Sequence, residues 1–229
     1  MPNEALELLC TMGLAGVMRE LREALEAEIG RPIAVRLGPT AALARDIAAG
    51  TPFDVAVLTA QAVEGFTAQG VLAAESRTDL ARSRVGATVT PGLPVPDIST
   101  VAAFAQALRV AKRVCYTLNG ASGKHFARLL PKLGLAEEVG AKALVIDGLV
   151  AERVVRGEAD FGIQQVSEIR AVPESVLVGP IPAELNVETV FSAGLAAATR
   201  DAGAARALLA ALAGPALRAV ALEKGLEAP

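Results

Sequence analysis

"RLGPTAALARDIAAGTPFDV" (residues 36–55) decides the fold. An apolar run closes on Gly38-Pro39, an Ala-rich segment at helical spacing follows, and a second apolar run opens at Asp54-Val55. The stretch reads as strand, loop, helix over residues 41–49, loop and strand. Two strands joined through one helix lie parallel in the same sheet, with a right-handed crossover. The loop delivers Thr40 to the start of the helix, yet the first turn Ala41-Ala42-Leu43 carries no acid, metal ligand or nucleophile. Two readings stand: the Thr40 hydroxyl caps its own helix, or it faces something bound there.

Outward from this stretch the same alternation continues. "ALELLC" (residues 5–10) is an apolar strand followed by Thr11-Met12-Gly13. Leu14, Val17, Met18, Leu21 and Leu25 then recur at helical spacing up to Gly30. A helix over residues 59–70 follows the third strand. "SRVGATVTPGLPVPDIST" (residues 83–100) breaks the rhythm, because a strand runs into a Gly/Pro-rich segment. A crossing between lobes is expected at 85–94 and a second at 185–191. Beyond the first come a helix capped by Ser99 or Asp97, strand 113–118, loop 119–122, helix 123–133, strand 143–146, helix 149–156, and strands 160–165 and 175–179. A long strand from 186 and two Ala-rich helices close the chain. The expectation is an α/β protein with mostly parallel sheets and helices on both faces. Residues 1–84 and 192–229 form one discontinuous lobe and residues 85–191 the other.

Composition fits this class. The chain has 229 residues, of which 52% are hydrophobic and 3% aromatic, and no Trp. Ala-rich helices on Val/Ile/Leu strands look like this. Stacking platforms for single-stranded nucleic acid need exposed aromatics. With a formal net charge of −3 and no basic cluster, a nucleic-acid partner is not expected. Cys10 and Cys115 sit in apolar runs and read as buried small hydrophobes. One His, His125, cannot build a multi-His metal site, so neither a metal nor a cofactor is expected. The longest apolar stretch, near residues 207–222, is interrupted by Gly214, Pro215 and Arg218, so no membrane insertion is expected. The N-terminal "PNEALELL" has no basic region and no long apolar run. As written the chain is expected in the cytoplasm, and in the periplasm if a signal preceded it.

In open parallel sheets ligands sit at the carboxyl ends of the strands. The loops there hold Thr11-Met12-Gly13, Gly38-Pro39-Thr40, Asn119-Gly120-Ala121-Ser122-Gly123, Asp147-Gly148 and Gln164-Gln165. These are small, mostly neutral hydrogen-bonding residues at helix starts. A helix N-terminus offers free N–H groups and a partial positive charge, and small residues let an anion approach them. No phosphate-binding GxxxxGK[ST], GxSxG elbow or HExxH is present.

Taken together, "TAALARDIAAGTPFDVAVLT", "ASGKHFARLLPKLGL", "VVRGEADFGIQQVSEI", "VGPIPAEL" and "ALRAVALEKGLEAP" resemble the molybdate-binding family of bacterial ABC-transporter solute-binding proteins. The likeness covers nearly the whole chain. It implies a two-lobed type II periplasmic-binding-protein fold with two interlobe crossings. It also implies a small anion clamped between the lobes and a transporter permease as partner. By this resemblance the ligand residues are Thr11, Gly13, Thr40, Ser122, Gly123, Lys124, Asp147 and Gln165. The chain departs from the family's pattern in places. Molybdate binders have a Ser where this chain has Gly13, with Thr11 two residues away as a stand-in. Their second Ser matches Thr40, and their Tyr falls at Gln165. A carboxylate ligand suits these changes better than molybdate, because Gln both donates and accepts and Asp147 can take a ligand hydroxyl or a proton.

Members of the wider family also resemble aconitate isomerase, which moves a proton across an unsaturated tricarboxylate. That reading needs anion clamps and one proton shuttle. His125 and Asp147 are its expected catalytic groups, with Lys124 nearby; the bland roles are a packed histidine, a helix cap and a solvated lysine.

Overall fold

The computed structural model describes residues 4–229; Met1–Asn3, where the expectation about a leader in part falls, lie outside the described residues. In chain order the elements begin with β1 Leu6–Thr11, a 3-10 turn Met12–Leu14, α1 Ala15–Ile29, β2 Ile33–Gly38 and α2 Thr40–Ala48. They continue with β3 Val55–Thr59, α3 Ala60–Ala68, β4 Thr78–Val89, α4 Val101–Val110, β5 Val114–Thr117 and α5 Ala121–Lys132. Then come α6 Ala136–Gly140, β6 Ala143–Ile146, α7 Val150–Val155, β7 Phe161–Gln165, α8 Val166–Arg170 and β8 Val176–Pro180. The chain ends in β9 Glu188–Leu195, α9 Ala202–Leu212 and α10 Pro215–Glu223.

These elements form a mixed α/β fold in two compact units. One holds the residues up to Arg82 together with Thr189–Pro229, the other Ser83–Glu188. In the first unit the sheet order is β2-β1-β3-β9, with the start of β4 beside β9. β1 runs parallel to β2 and β3, and β9 returns antiparallel to β3. The alternation of side chains along β1 splits the core in two. Leu8 and Cys10 join Val17, Met18, Leu21, Leu208 and Leu217 of α1, α9 and α10. Leu9, on the opposite face, joins Leu43, Ile47, Leu58 and Val63 around α2 and α3. The helical spacing read in the sequence is the buried stripe of α1, from Val17 to Leu25.

In the second unit β5 runs parallel to both β6 and β7, and β4 runs antiparallel to β7 and β8. Tyr116 of β5 meets Phe126 of α5 edge to face, with ring centroids 5.1 Å apart. Cys115, on the other face of β5, packs with Val150, Val154 and Ala159. Both thiols are buried, and burial pushes them up to about 12.

Several local expectations change. The cap of α4 is Thr100, whose side chain accepts from Ala103 N–H at 3.1 Å; Asp97 instead accepts from Ser99 N–H. α5 starts at Ala121 rather than 123. Two five-residue helices, α6 and α8, occupy segments that showed no helical pattern. Among the described residues no single helix is long and apolar enough to cross a membrane. α9 and α10 pass such a test only as a pair bent by 46°, and both bury their apolar sides in the first unit's core.

Candidate functional site

Each unit gathers small polar groups at the carboxyl ends of its parallel strands. In the first unit the register places Thr11 of β1 opposite Gly38 of β2. Pro39 turns the chain, and α2 begins at Thr40. The residue in the cap position is therefore Pro39, and no side chain caps α2. The Thr40 hydroxyl instead points across to Thr11, with Oγ1 to Oγ1 at 3.3 Å. Thr11 is buried and Thr40 half-buried, so two hydroxyls from adjacent strand ends meet at the start of a nine-residue helix free of acids in its first turn. Thr59 ends the neighbouring strand β3, and its side chain does not cap α3. In the sequence it reads only as the last residue of an apolar run.

Gly13 lies buried in the 3-10 turn after β1. A Cβ there would stand 2.3 Å from Cζ of Phe191, a ring in β9 that is itself buried. The space of a first-loop side chain is thus filled by an aromatic ring, and only the backbone of Gly13 can face a ligand.

In the second unit the organising residue is Thr117, the last of β5. Its hydroxyl accepts from Gly120 N–H at 3.0 Å, which holds the turn into α5. A Cβ at Gly123 would lie 1.6 Å from the Thr117 carbonyl oxygen, so α5 sits directly on the strand end. Ser122, second in this 12-residue helix, is buried. Lys124 is exposed on the same turn. His125 is half-buried, and its Nε2 bonds the Leu185 carbonyl at 2.7 Å, which makes that nitrogen the donor. Asp147 does not cap α7, whose cap position is Leu149. It is exposed, and its carboxylate accepts from the Asn119 side chain.

β7 ends in two buried glutamines. Gln164 Oε1 accepts from Ala151 N–H at 3.1 Å, in the first turn of α7. Gln165 occupies the cap position of α8. Glu168, in the first turn of α8, reaches back to the Gln165 backbone N–H and to the Gln164 side chain. Such a link from the third helical residue to the cap residue's N–H is half of a capping box. Glu168 is half-buried as a residue, but its carboxyl is enclosed, and burial pushes it up to about 7 against the two hydrogen bonds that lower it. The sequence reading expected no Glu at any strand end; with α8 unread, Glu168 lay in an apparent loop. The spacing Gln165 to Glu168 before Ile169 was the signal that could have found it.

Among the described residues no group of three or more His, Cys, Asp and Glu is placed to hold a metal ion. What the strand ends offer is hydroxyls, amides and helix N–H groups, a donor set matched to oxygen lone pairs.

Residues 6–227 match the model of the family described as bacterial extracellular solute-binding protein. The chain belongs to this family. It is 35% identical over 215 residues to an aconitate isomerase of a Pseudomonas species, covering 91% of this chain and 82% of that protein. In structure it resembles the periplasmic molybdate-binding protein of Azotobacter vinelandii, with a TM-score of 0.83 and 17% identity over 98% of this chain and 99% of that one. It also resembles the sulfate-binding protein SubI of Mycobacterium tuberculosis H37Rv, with a TM-score of 0.76 and 17% identity over 99% of this chain and 87% of that one. At such identities the two structures share the fold, here the type II periplasmic-binding architecture.

Proposed function

We propose that this protein binds a small anion, a di- or tricarboxylate, through the small hydroxyls and helix N–H groups at the strand ends of its units. The observation that carries the reading is Thr40. A threonine at a helix start is ordinarily a cap, but this one caps nothing and meets Thr11 hydroxyl to hydroxyl at 3.3 Å. Two hydroxyls converging on an acid-free helix start are bonded to each other and not spent on capping the helix. Ser122, buried at the start of α5, extends the same chemistry in the second unit. The proposed ligand residues are Thr11, Gly13 through its backbone, Thr40, Ser122, Gly123 and Gln165, with Lys124 and Asp147 at the edge.

Relatives that bind molybdate and sulfate support an oxyanion or carboxylate ligand. The choice of a carboxylate rests on Phe191, which stands where a first-loop side chain would reach, and on Gln165, which can accept as well as donate. In the receptor reading an ABC-transporter permease is the partner, and the protein works in the periplasm. Calorimetry with molybdate, sulfate, citrate and the two aconitates tests the ligand class. Carboxylate binding weakened in Thr40→Val supports the reading, and molybdate as the tighter ligand overturns the choice of a carboxylate.

The curated relative favours a second reading, an isomerase of an unsaturated tricarboxylate. Here the same donors hold the carboxylates, and one titratable group moves a proton. Turnover of cis- into trans-aconitate separates enzyme from receptor.

A further inference from the structure

We propose that Glu168, rather than Asp147 or His125, is the catalytic group that takes and returns the proton in the isomerase reading, on which this inference rests. In the step, the carboxylate of Glu168 removes a proton from the methylene carbon of the bound tricarboxylate. The C–H electron pair becomes a new double bond to the neighbouring alkene carbon. The old double bond's pair moves to the far carbon, where the adjacent carboxylate spreads the charge. Glu168 then delivers a proton to that far carbon. The sum is a 1,3 hydrogen shift that needs neither oxidant nor cofactor.

Placement is the first argument. Glu168 follows Gln165 by less than one helical turn, at the strand end that carries a proposed ligand residue. Orientation is the second. Ala151 N–H can only donate, so its bond to Gln164 Oε1 fixes the amide and turns Nε2 toward Glu168. The carboxyl is thus held by an amide and a backbone N–H, without a cation. Among the described residues no ion pair involves it: on α7, Arg153 is bound to Glu158 and Arg156 to Glu152 and Glu158. β7 and β8 carry no charged residue; the charged residues on α8 and the adjoining part of β4, besides Glu168 itself, are Arg170, Arg82 and Arg84. An uncompensated carboxyl shielded from water exchanges its proton near neutrality, which suits a group acting as base and then as acid. The earlier candidates are otherwise engaged. His125 gives its Nε2 hydrogen to Leu185, and Asp147 is exposed and tied to Asn119.

The alternative role for Glu168 is purely structural, as the back-reaching member of a capping box. The test separates the two. cis-Aconitate and trans-aconitate are incubated in deuterated water with the wild-type chain, Glu168→Gln and Glu168→Asp, and followed by proton NMR, with affinities from calorimetry. The expected result is interconversion by the wild type, with only partial deuterium incorporation because one shielded carboxyl hands back much of the proton it took, and a loss of about 100-fold or more in kcat in Glu168→Gln. Affinity should stay within a few-fold, and Glu168→Asp should restore part of the rate. Wild-type kcat/KM should rise with pH to a plateau above about 7. Wild-type rates in a folded Glu168→Gln overturn the role of Glu168 and leave the isomerase reading standing. Wild-type protein that binds aconitate yet neither interconverts the two isomers nor incorporates deuterium overturns that reading and this inference together. Should Glu168→Gln not fold, a flat wild-type pH profile between about 5.5 and 8.5 is the overturning result.

Discussion

The ring of Phe191 occupies the space that any side chain at Gly13 would need, with Cζ 2.3 Å from the position of a Cβ. Both residues are buried, so neither can move aside into solvent. Gly13→Ser, which restores the residue of the molybdate binders, should therefore destabilise the fold by about 1–3 kcal/mol. Phe191→Ala should cost about 3–5 kcal/mol through the cavity it leaves. The two changes should couple: on the Phe191→Ala background, Gly13→Ser should be nearly neutral. Denaturant unfolding of the four proteins in a double-mutant cycle checks this. Additive effects would show that the ring and the glycine do not compete for one space.

Thr40 makes the opposite kind of prediction, on binding rather than stability. Thr40→Val keeps the volume and removes the hydroxyl. Since no cap is lost, thermal unfolding should move little, by about 0.5 kcal/mol or less. Affinity for a carboxylate should fall by about 1–3 kcal/mol, the worth of a hydrogen bond to a charged oxygen. A variant that melts early but binds normally would return Thr40 to a structural role.

Gly123 and Gly65 form a contrast within helices. At Gly123 a Cβ would meet a backbone carbonyl oxygen at 1.6 Å, and no side-chain motion can relieve that contact. Gly123→Ala should destabilise by more than about 4 kcal/mol or prevent folding. At Gly65, inside α3, a Cβ meets nothing within 4 Å. Gly65→Ala should stabilise by about 0.5–1 kcal/mol through helix propensity and a less free unfolded chain. Circular dichroism melts of both variants provide the measurement; an ordinary, folded Gly123→Ala would contradict the direct seating of α5 on β5.

How much of this was legible depends on the length of the element. α1 announced itself because five apolar residues, Leu14 to Leu25, repeat at helical spacing over twelve positions and Gly30 closes the helix with φ +66. α6 and α8 were silent, since a five-residue helix shows one turn and no period. The antiparallel entry of β4, β8 and β9 left no local mark, because a strand's sequence pattern is the same in either direction. Thr11 and Thr40 were visible as small hydroxyls at strand ends, but their mutual distance depends on the register of β1 and β2. Thr117 was hidden inside an apolar strand, where its hydroxyl looked like filler until the turn closed on it. Glu168 was hidden for a different reason: its setting comes from Gln164, whose amide is fixed by a residue thirteen positions away.

Glu168 also ties stability to pH in a direction that can be worked out beforehand. Its carboxyl is pushed up from 4.5 to about 7, chiefly by burial, with the Gln165 N–H and Gln164 amide working against that rise. In the unfolded chain the group ionises near 4.5, whereas in the folded protein it keeps its proton until about pH 7. Between those values the native state binds the extra proton, so the slope of unfolding free energy against pH is negative. This contribution is fully present below about 4.5, is lost as pH rises toward 7, and changes no further above it. At pH 8 the folded protein carries the whole cost of an enclosed carboxylate, about 3 kcal/mol. Glu168→Gln keeps the shape and one acceptor oxygen without the charge. The variant should match the wild type near pH 4.5, exceed it in stability at pH 8 by about that amount, and lack the negative slope between. Urea unfolding at a series of pH values measures both curves. Parallel curves would mean that the carboxyl is open to water in solution, and with it would go the reason for a proton exchanging near neutrality at this strand end.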